Sequence, residues 1–175
     1  GVAGPRGLCA GQQGAGVDGL MRRALGVGSF VLREGVEFGV NNRGTALGGQ
    51  QIDLQGLSGA YSDIYLPLHG AHQAHNAAYA VAAVEAFTGT KQLDVDLVRE
   101  AFSQVTSPGR LEVVRRSPTV LLDAAHNPHG AEATIEAVQA AFTLRPLIGV
   151  AGGLADTVVE EMLRKYGPVM AVCCG

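Results

Sequence analysis

Asp123, His126 and Asn127 fall within five residues of one another in the run Thr119-Val120-Leu121-Leu122-Asp123-Ala124-Ala125-His126-Asn127-Pro128-His129-Gly130. An apolar β-run ends on the acid, a short loop carries the imidazole and the amide, and Pro128 opens a helix. In open α/β sheets small molecules bind outside the carboxyl ends of strands, beside helix N-termini. The three side chains stand at that position. The plainer reading is an ordinary strand–helix turn, with Asp123 as a turn acid, Asn127 as an N-cap and Pro128 as the first helical residue.

A second set of polar residues lies upstream. His72, His75, Asn76 and Tyr79 recur at i, i+3, i+4 and i+7 in an alanine-rich stretch that runs to Phe87. That stretch is apolar nearly all round, which predicts a buried helix with one polar stripe. Polar groups buried there are costly unless hydrogen-bonded. The amide of Asn76 matches the donor–acceptor pair on an adenine edge; it could equally tie the helix to a neighbouring loop. His72 and His75 have a spacing that could seat zinc, but no Cys or carboxylate joins them at a characteristic interval, so no metal site is assigned. Arg110 follows Ser107-Pro108-Gly109. There it could clamp a phosphate bidentately, or simply cap the helix before it. Arg115 and Arg116 read as surface residues.

The elements that carry these residues follow from the pattern. Residues 1–15 are rich in Gly, Ala and Gln and read as a linker or remnant. Asp18–Leu25 is a short helix. Between Ser29 and Tyr65, short apolar runs alternate with turn signals, including Asn41-Asn42-Arg43-Gly44 and Gly48-Gly49. That rhythm predicts antiparallel strands. Helices follow over 70–87 and 94–105, and Thr106-Ser107-Pro108-Gly109 ends the second. From there strand, helix, strand, helix and strand alternate: 119–122, 128–142, 147–151, 157–166 and 169–173. This order predicts a parallel, Rossmann-like sheet. Gly152 and Gly153 permit a close ligand approach or a tight turn, with Asp156 as the next N-cap. The domain boundary is placed between residues 107 and 108.

Composition removes several classes of function. The net charge of −3 gives no electrostatic case for nucleic acid or an anionic membrane. Trp is absent and Tyr and Phe are sparse, so stacking platforms for single strands are lacking. Cys9, Cys173 and Cys174 make no disulfide framework, and a reducing, cytoplasmic setting fits. No apolar run is long enough for a membrane span. The chain has no Gly-x-x-x-x-Gly-Lys-Ser/Thr loop and no Gly-x-Ser-x-Gly elbow. Its first residue is not Met and its last residues stop on a strand-like run, so it reads as part of something larger.

Taken together, the motifs resemble a known family. Leu122-Asp123-Ala124-Ala125-His126-Asn127-Pro128-His129-Gly130, the preceding Ser107-Pro108-Gly109-Arg110-Leu111-Glu112, the helix start Gly70-Ala71-His72-Gln73-Ala74-His75-Asn76-Ala77-Ala78 and Leu32-Arg33-Glu34-Gly35-Val36-Glu37-Phe38 are similar to folylpolyglutamate synthase/dihydrofolate synthase, of the Mur ligase superfamily. The resemblance implies an α/β chain: residues 1–107 as the end of a P-loop-type ATPase domain and 108–175 as a partial Rossmann-like domain, with ATP in the cleft between the two. It implies a ligase that adds L-glutamate to a folate or dihydropteroate carboxylate through an acyl phosphate. It implies that Asn76 contacts adenine, Arg110 the phosphates and Asp123 the nucleoside, with His126 ordering the same loop. ATP and Mg2+ are the implied cofactors, the magnesium ligands and P-loop being expected upstream of Gly1, and the implied molecule is a monomer. Asp156-Thr157-Val158 departs from the family's usual Asp-Lys-Asp. Two other assignments stay open: a Mur-type peptidoglycan-precursor ligase and a non-catalytic nucleotide-binding domain.

Overall fold

The computed structural model describes residues 6–9, 15–89, 91–143, 146–152 and 157–174. Along the chain they form β1 (Arg6–Cys9), α1 (Ala15–Gly26), β2 (Phe30–Arg33), β3 (Gly39–Ala46), β4 (Gly49–Gln55), β5 (Ala60–Leu66), α2 (Ala71–Phe87), α3 (Val95–Ser103), β6 (Glu112–Arg116), β7 (Thr119–Leu122), α4 (Pro128–Ala141), β8 (Ile148–Val150), α5 (Thr157–Tyr166) and β9 (Val172–Cys174). This is an α/β chain. It divides into two compact units, one of residues 1–44, 51–66 and 74–104, the other of 45–50, 67–73 and 105–175.

In the first unit β1 pairs parallel with β2, Arg6 opposite Phe30 and Cys9 opposite Arg33. Local composition had marked residues 1–15 as linker; the strand at Arg6–Cys9 owes its existence to a partner more than twenty residues away. A second sheet has the order β3-β4-β5, residues 45–50 of which fall in the second unit. The two-residue link Leu47-Gly48, with Gly48 at φ 78°, joins β3 to β4 and can connect only antiparallel neighbours. Asn41-Asn42-Arg43-Gly44, expected as a turn, instead lies inside β3, at the edge of that sheet. All four residues are exposed, so polar side chains cost the strand nothing.

The core of this unit follows the periods of its elements. Ile52 and Leu54 of β4, and Ile64 and Leu66 of β5, alternate inward with period two. Ala74, Ala77, Ala78, Val81 and Ala82 form the buried side of α2. The helix is not buried all round as its composition suggested: His75, Asn76, Ala80, Val84 and Phe87 face solvent. Small residues on the other face let it pack closely. Glu85 sits on that buried face and is 0% exposed. Its carboxylate accepts from Leu57 N, from Ser58 N at 3.3 Å and from the Tyr61 hydroxyl at 2.6 Å, so the charge is hydrogen-bonded throughout. Asp94 caps α3, accepting from Asp96 N and Leu97 N.

In the second unit β6 and β7 form an antiparallel hairpin, with a bulge between Val113 and Arg115. The sequence placed β7 in one parallel sheet with the later strands; its ladder hydrogen bonds go to β6, and the parallel pairing is that of β8 with β9. Leu111, Ala137 and Val138 make a small core, with Leu121 and Leu147 against it. Asn127 caps α4 and Pro128 opens it, as the sequence indicated. The expected cap at Asp156 lies outside the described residues. No described helix is long and apolar enough to cross a membrane.

Candidate functional site

Asp123 directly follows β7 and ties three segments together. Its Oδ2 accepts from Leu111 N at 3.0 Å, and its Oδ1 accepts from Ala125 N at 2.9 Å and from the Thr134 hydroxyl of α4 at 2.8 Å. An ionised carboxylate has about four acceptor positions. Three are taken, leaving one on Oδ2 for a ligand hydroxyl. The same loops are joined a second time, Ala124 N donating to Gly109 O at 2.7 Å.

Those bonds fix the backbone on either side of Arg110. Gly109 has φ 71° and Leu111 φ 47°. The left-handed region suits glycine, but costs a leucine roughly 1 kcal/mol or more. The bond from Leu111 N to Asp123, and the burial of the Leu111 side chain, offset that strain. Arg110 between them is exposed, and among the described residues its guanidinium makes no hydrogen bond or ion pair. A rigid loop thus holds out a cation that is not otherwise used.

The start of α4 completes this part. Asn127 Oδ1 accepts from Gly130 N at 2.7 Å, satisfying one of the open backbone donors of the first turn. His126, exposed beside it, is 3.3 Å from Ala124 O through Nδ1, which donates in the tautomer protonated there. Arg110, Asp123 and His126 therefore share one loop system in the second unit. Asn76 belongs to the first unit, on the exposed face of α2.

On that face the sequence reading missed the partner of its own stripe. The carboxylate of Glu34, in the turn after β2, bonds His75 Nδ1 through one oxygen and accepts from the Tyr79 hydroxyl at 2.9 Å through the other. Phe38 packs edge-on against Tyr79, with ring centroids 5.1 Å apart. No local spacing signals a bond across 41 residues. Two more residues escaped notice in the second unit. Gln50 is 2% exposed and donates from Nε2 to Leu68 O at 2.9 Å and Gly70 O at 3.0 Å. It holds the segment that leads into α2. His69 lies in that segment, its ring 4.8 Å from that of Phe142, and burial lowers its pKa. Gln50 Oε1 and His69 Nδ1 are buried without a partner among the described residues. Among the described residues no group of three or more His, Cys, Asp or Glu gathers to hold a metal ion.

Comparison with known proteins gives this geometry a context. Residues 109–174 match the family model "Mur ligase, glutamate ligase domain". The chain is 52% identical over 153 residues to the dihydrofolate synthase/folylpolyglutamate synthase of Mycobacterium tuberculosis, covering 86% of this chain and 31% of the relative. It is 32% identical over 121 residues to the folylpolyglutamate synthase of Lacticaseibacillus casei, covering 67% and 28%. Among solved structures, Mycobacterium tuberculosis folylpolyglutamate synthase complexed with ADP superposes with a TM-score of 0.89 at 49% identity, covering 95% of this chain and 37% of that one. A folylpolyglutamate synthase–AMPPCP–folate complex gives 0.85 at 26% identity, covering 96% and 42%. The chain thus spans about a third of the length of the curated relatives it matches.

Proposed function

We propose, from the premise that the chain belongs to the folylpolyglutamate synthase/dihydrofolate synthase family of Mur ligases, that it supplies ATP-binding residues to an acid–amino-acid ligase. The substrates are ATP, L-glutamate and a folate or dihydropteroate. A carboxylate oxygen of the pterin substrate attacks the γ-phosphorus and ADP leaves. The amine of L-glutamate then attacks the acyl carbon, phosphate departs, and an amide remains. Residues 1–107 and 108–175 are proposed as the two domains, in a monomeric, cytoplasmic enzyme.

The observation that carries this reading is the loop around Arg110: a guanidinium with no partner among the described residues, on a backbone locked by Asp123. Arginine suits phosphate because its planar fork donates two parallel charge-assisted bonds. Asp123 keeps the loop in place and offers its remaining acceptor position to a nucleoside hydroxyl. His126 orders the same loop from the other side. Asn76 presents an amide whose donor and acceptor match the N7 and N6 positions of adenine. Magnesium accompanies ATP in such chemistry, but the described residues do not form a metal site, and no step here is assigned to it.

Photolabelling tests the assignment. The chain is irradiated with 8-azido-ATP, digested, and the modified peptides are identified by mass spectrometry. A label on the peptide bearing Asn76, suppressed by excess ATP, is expected. Labelling confined to other peptides, or insensitive to ATP, overturns the reading.

A further inference from the structure

We infer that His75, aimed by Glu34 and Tyr79, is a second reader of the purine and selects a 6-amino over a 6-oxo base. This rests on the proposed contact of Asn76 with adenine and extends it to the residue beside it. The Glu34 side chain is 14% exposed and its two oxygens are engaged by His75 Nδ1 and the Tyr79 hydroxyl. An ionised carboxylate only accepts, so the tautomer that fits this contact carries its proton on Nδ1, and in the neutral form of that ring the lone pair lies on Nε2. The His75 side chain is 51% exposed. With Nδ1 committed, Nε2 is the ring nitrogen left for a ligand.

The chemistry follows from what Asn76 leaves unused. An amide that pairs with N6 and N7 takes one of the two N6 hydrogens, on the Hoogsteen side. The second hydrogen points to the Watson–Crick side and needs an acceptor. In that tautomer the Nε2 lone pair of His75, exposed beside Asn76 on α2, is the acceptor we assign to it. A 6-oxo purine presents a lone pair at the same place, so acceptor faces acceptor and the pairing fails. Glu34 is the positioning residue in this arrangement. It sets the tautomer, while Tyr79 and the Phe38 ring behind it hold the carboxylate in place.

The test uses the 175-residue chain, 15N-labelled, titrated with ATP and with inosine triphosphate, which differ only around position 6 of the base. Imidazole 15N shifts read the His75 tautomer directly. The wild-type chain is expected to show protonated Nδ1 and a preference for ATP. His75→Ala lowers that preference about five-fold. Glu34→Gln shifts the tautomer signal and lowers the preference without loss of fold, as the retained spectrum outside this cluster will show. If Asn76→Ala weakens ATP binding while His75→Ala leaves the ATP-to-inosine-triphosphate ratio unchanged, this inference is wrong and the proposed function stands. If ATP binding is undetectable in the wild-type chain, or indifferent to Asn76→Ala, the proposed nucleotide site fails and this inference fails with it.

Discussion

Arg110, proposed to hold phosphate, and Asp123, which ties its loop in place, are separable by substitution. Arg110→Ala removes an exposed cation with no partner among the described residues, so urea unfolding should change by less than about 0.5 kcal/mol while ATP affinity falls about ten-fold. Asp123→Ala strips the side-chain acceptor from Leu111 N and Ala125 N, leaves the Thr134 hydroxyl only Gly130 O, and releases the strained Leu111 backbone. A loss of about 3 kcal/mol is expected in the same unfolding experiment. A stability loss in the arginine variant equal to that in the aspartate variant would contradict this division. His69 adds a pH dependence. Burial holds its folded pKa below the ordinary value, so the unfolded chain takes up the proton first. Its contribution is full above about pH 6.5 and is lost as pH falls through the folded pKa. The urea midpoint should drop more between pH 7.5 and 5.5 in the wild type than in His69→Gln.

The elements that hold these residues depend on bonds of very different sequence range. Glu85 of α2 pins the β4–β5 loop and the Tyr61 hydroxyl, which in turn accepts from Leu93 N at 2.8 Å. Burial, and then the neighbouring carboxylate, raise the Tyr61 pKa to about 12. A raised folded pKa means that this stability is complete below about pH 10 and disappears as pH rises toward 12. Tyr61→Phe should cost about 1–2 kcal/mol at pH 7 and flatten the alkaline limb of a stability profile. Such range decides what could be read in advance. The cap at Asn127, the proline at the start of α4 and the alternation in β4 and β5 are local, and the sequence displays them. The strand at Arg6–Cys9 depends on β2, and β3 runs through Asn41-Asn42-Arg43-Gly44 because an exposed edge tolerates polar residues there. Composition alone points the other way in both places. The carboxylate of Glu34 meets His75 and Tyr79 across more than forty residues, so the stripe on α2 was visible and its anchor was not.

At the scale of the whole molecule, the relatives set the expectation for chemistry. The chain spans about a third of their length and contains no Walker-type phosphate loop. Incubated with ATP, L-glutamate and a folate, it is expected to bind nucleotide and form no glutamyl product detectable by mass spectrometry; turnover would show that the described residues hold more of the catalytic apparatus than they display. Binding is the property on which the whole account stands. Its most direct test is an equilibrium titration of ATP into the wild-type chain, Asn76→Ala and Arg110→Ala, with thermal unfolding run in parallel. Each substitution is expected to weaken ATP binding about ten-fold, and in Arg110→Ala the unfolding temperature is expected to stay near that of the wild type. Equal ATP affinity in all three chains contradicts it.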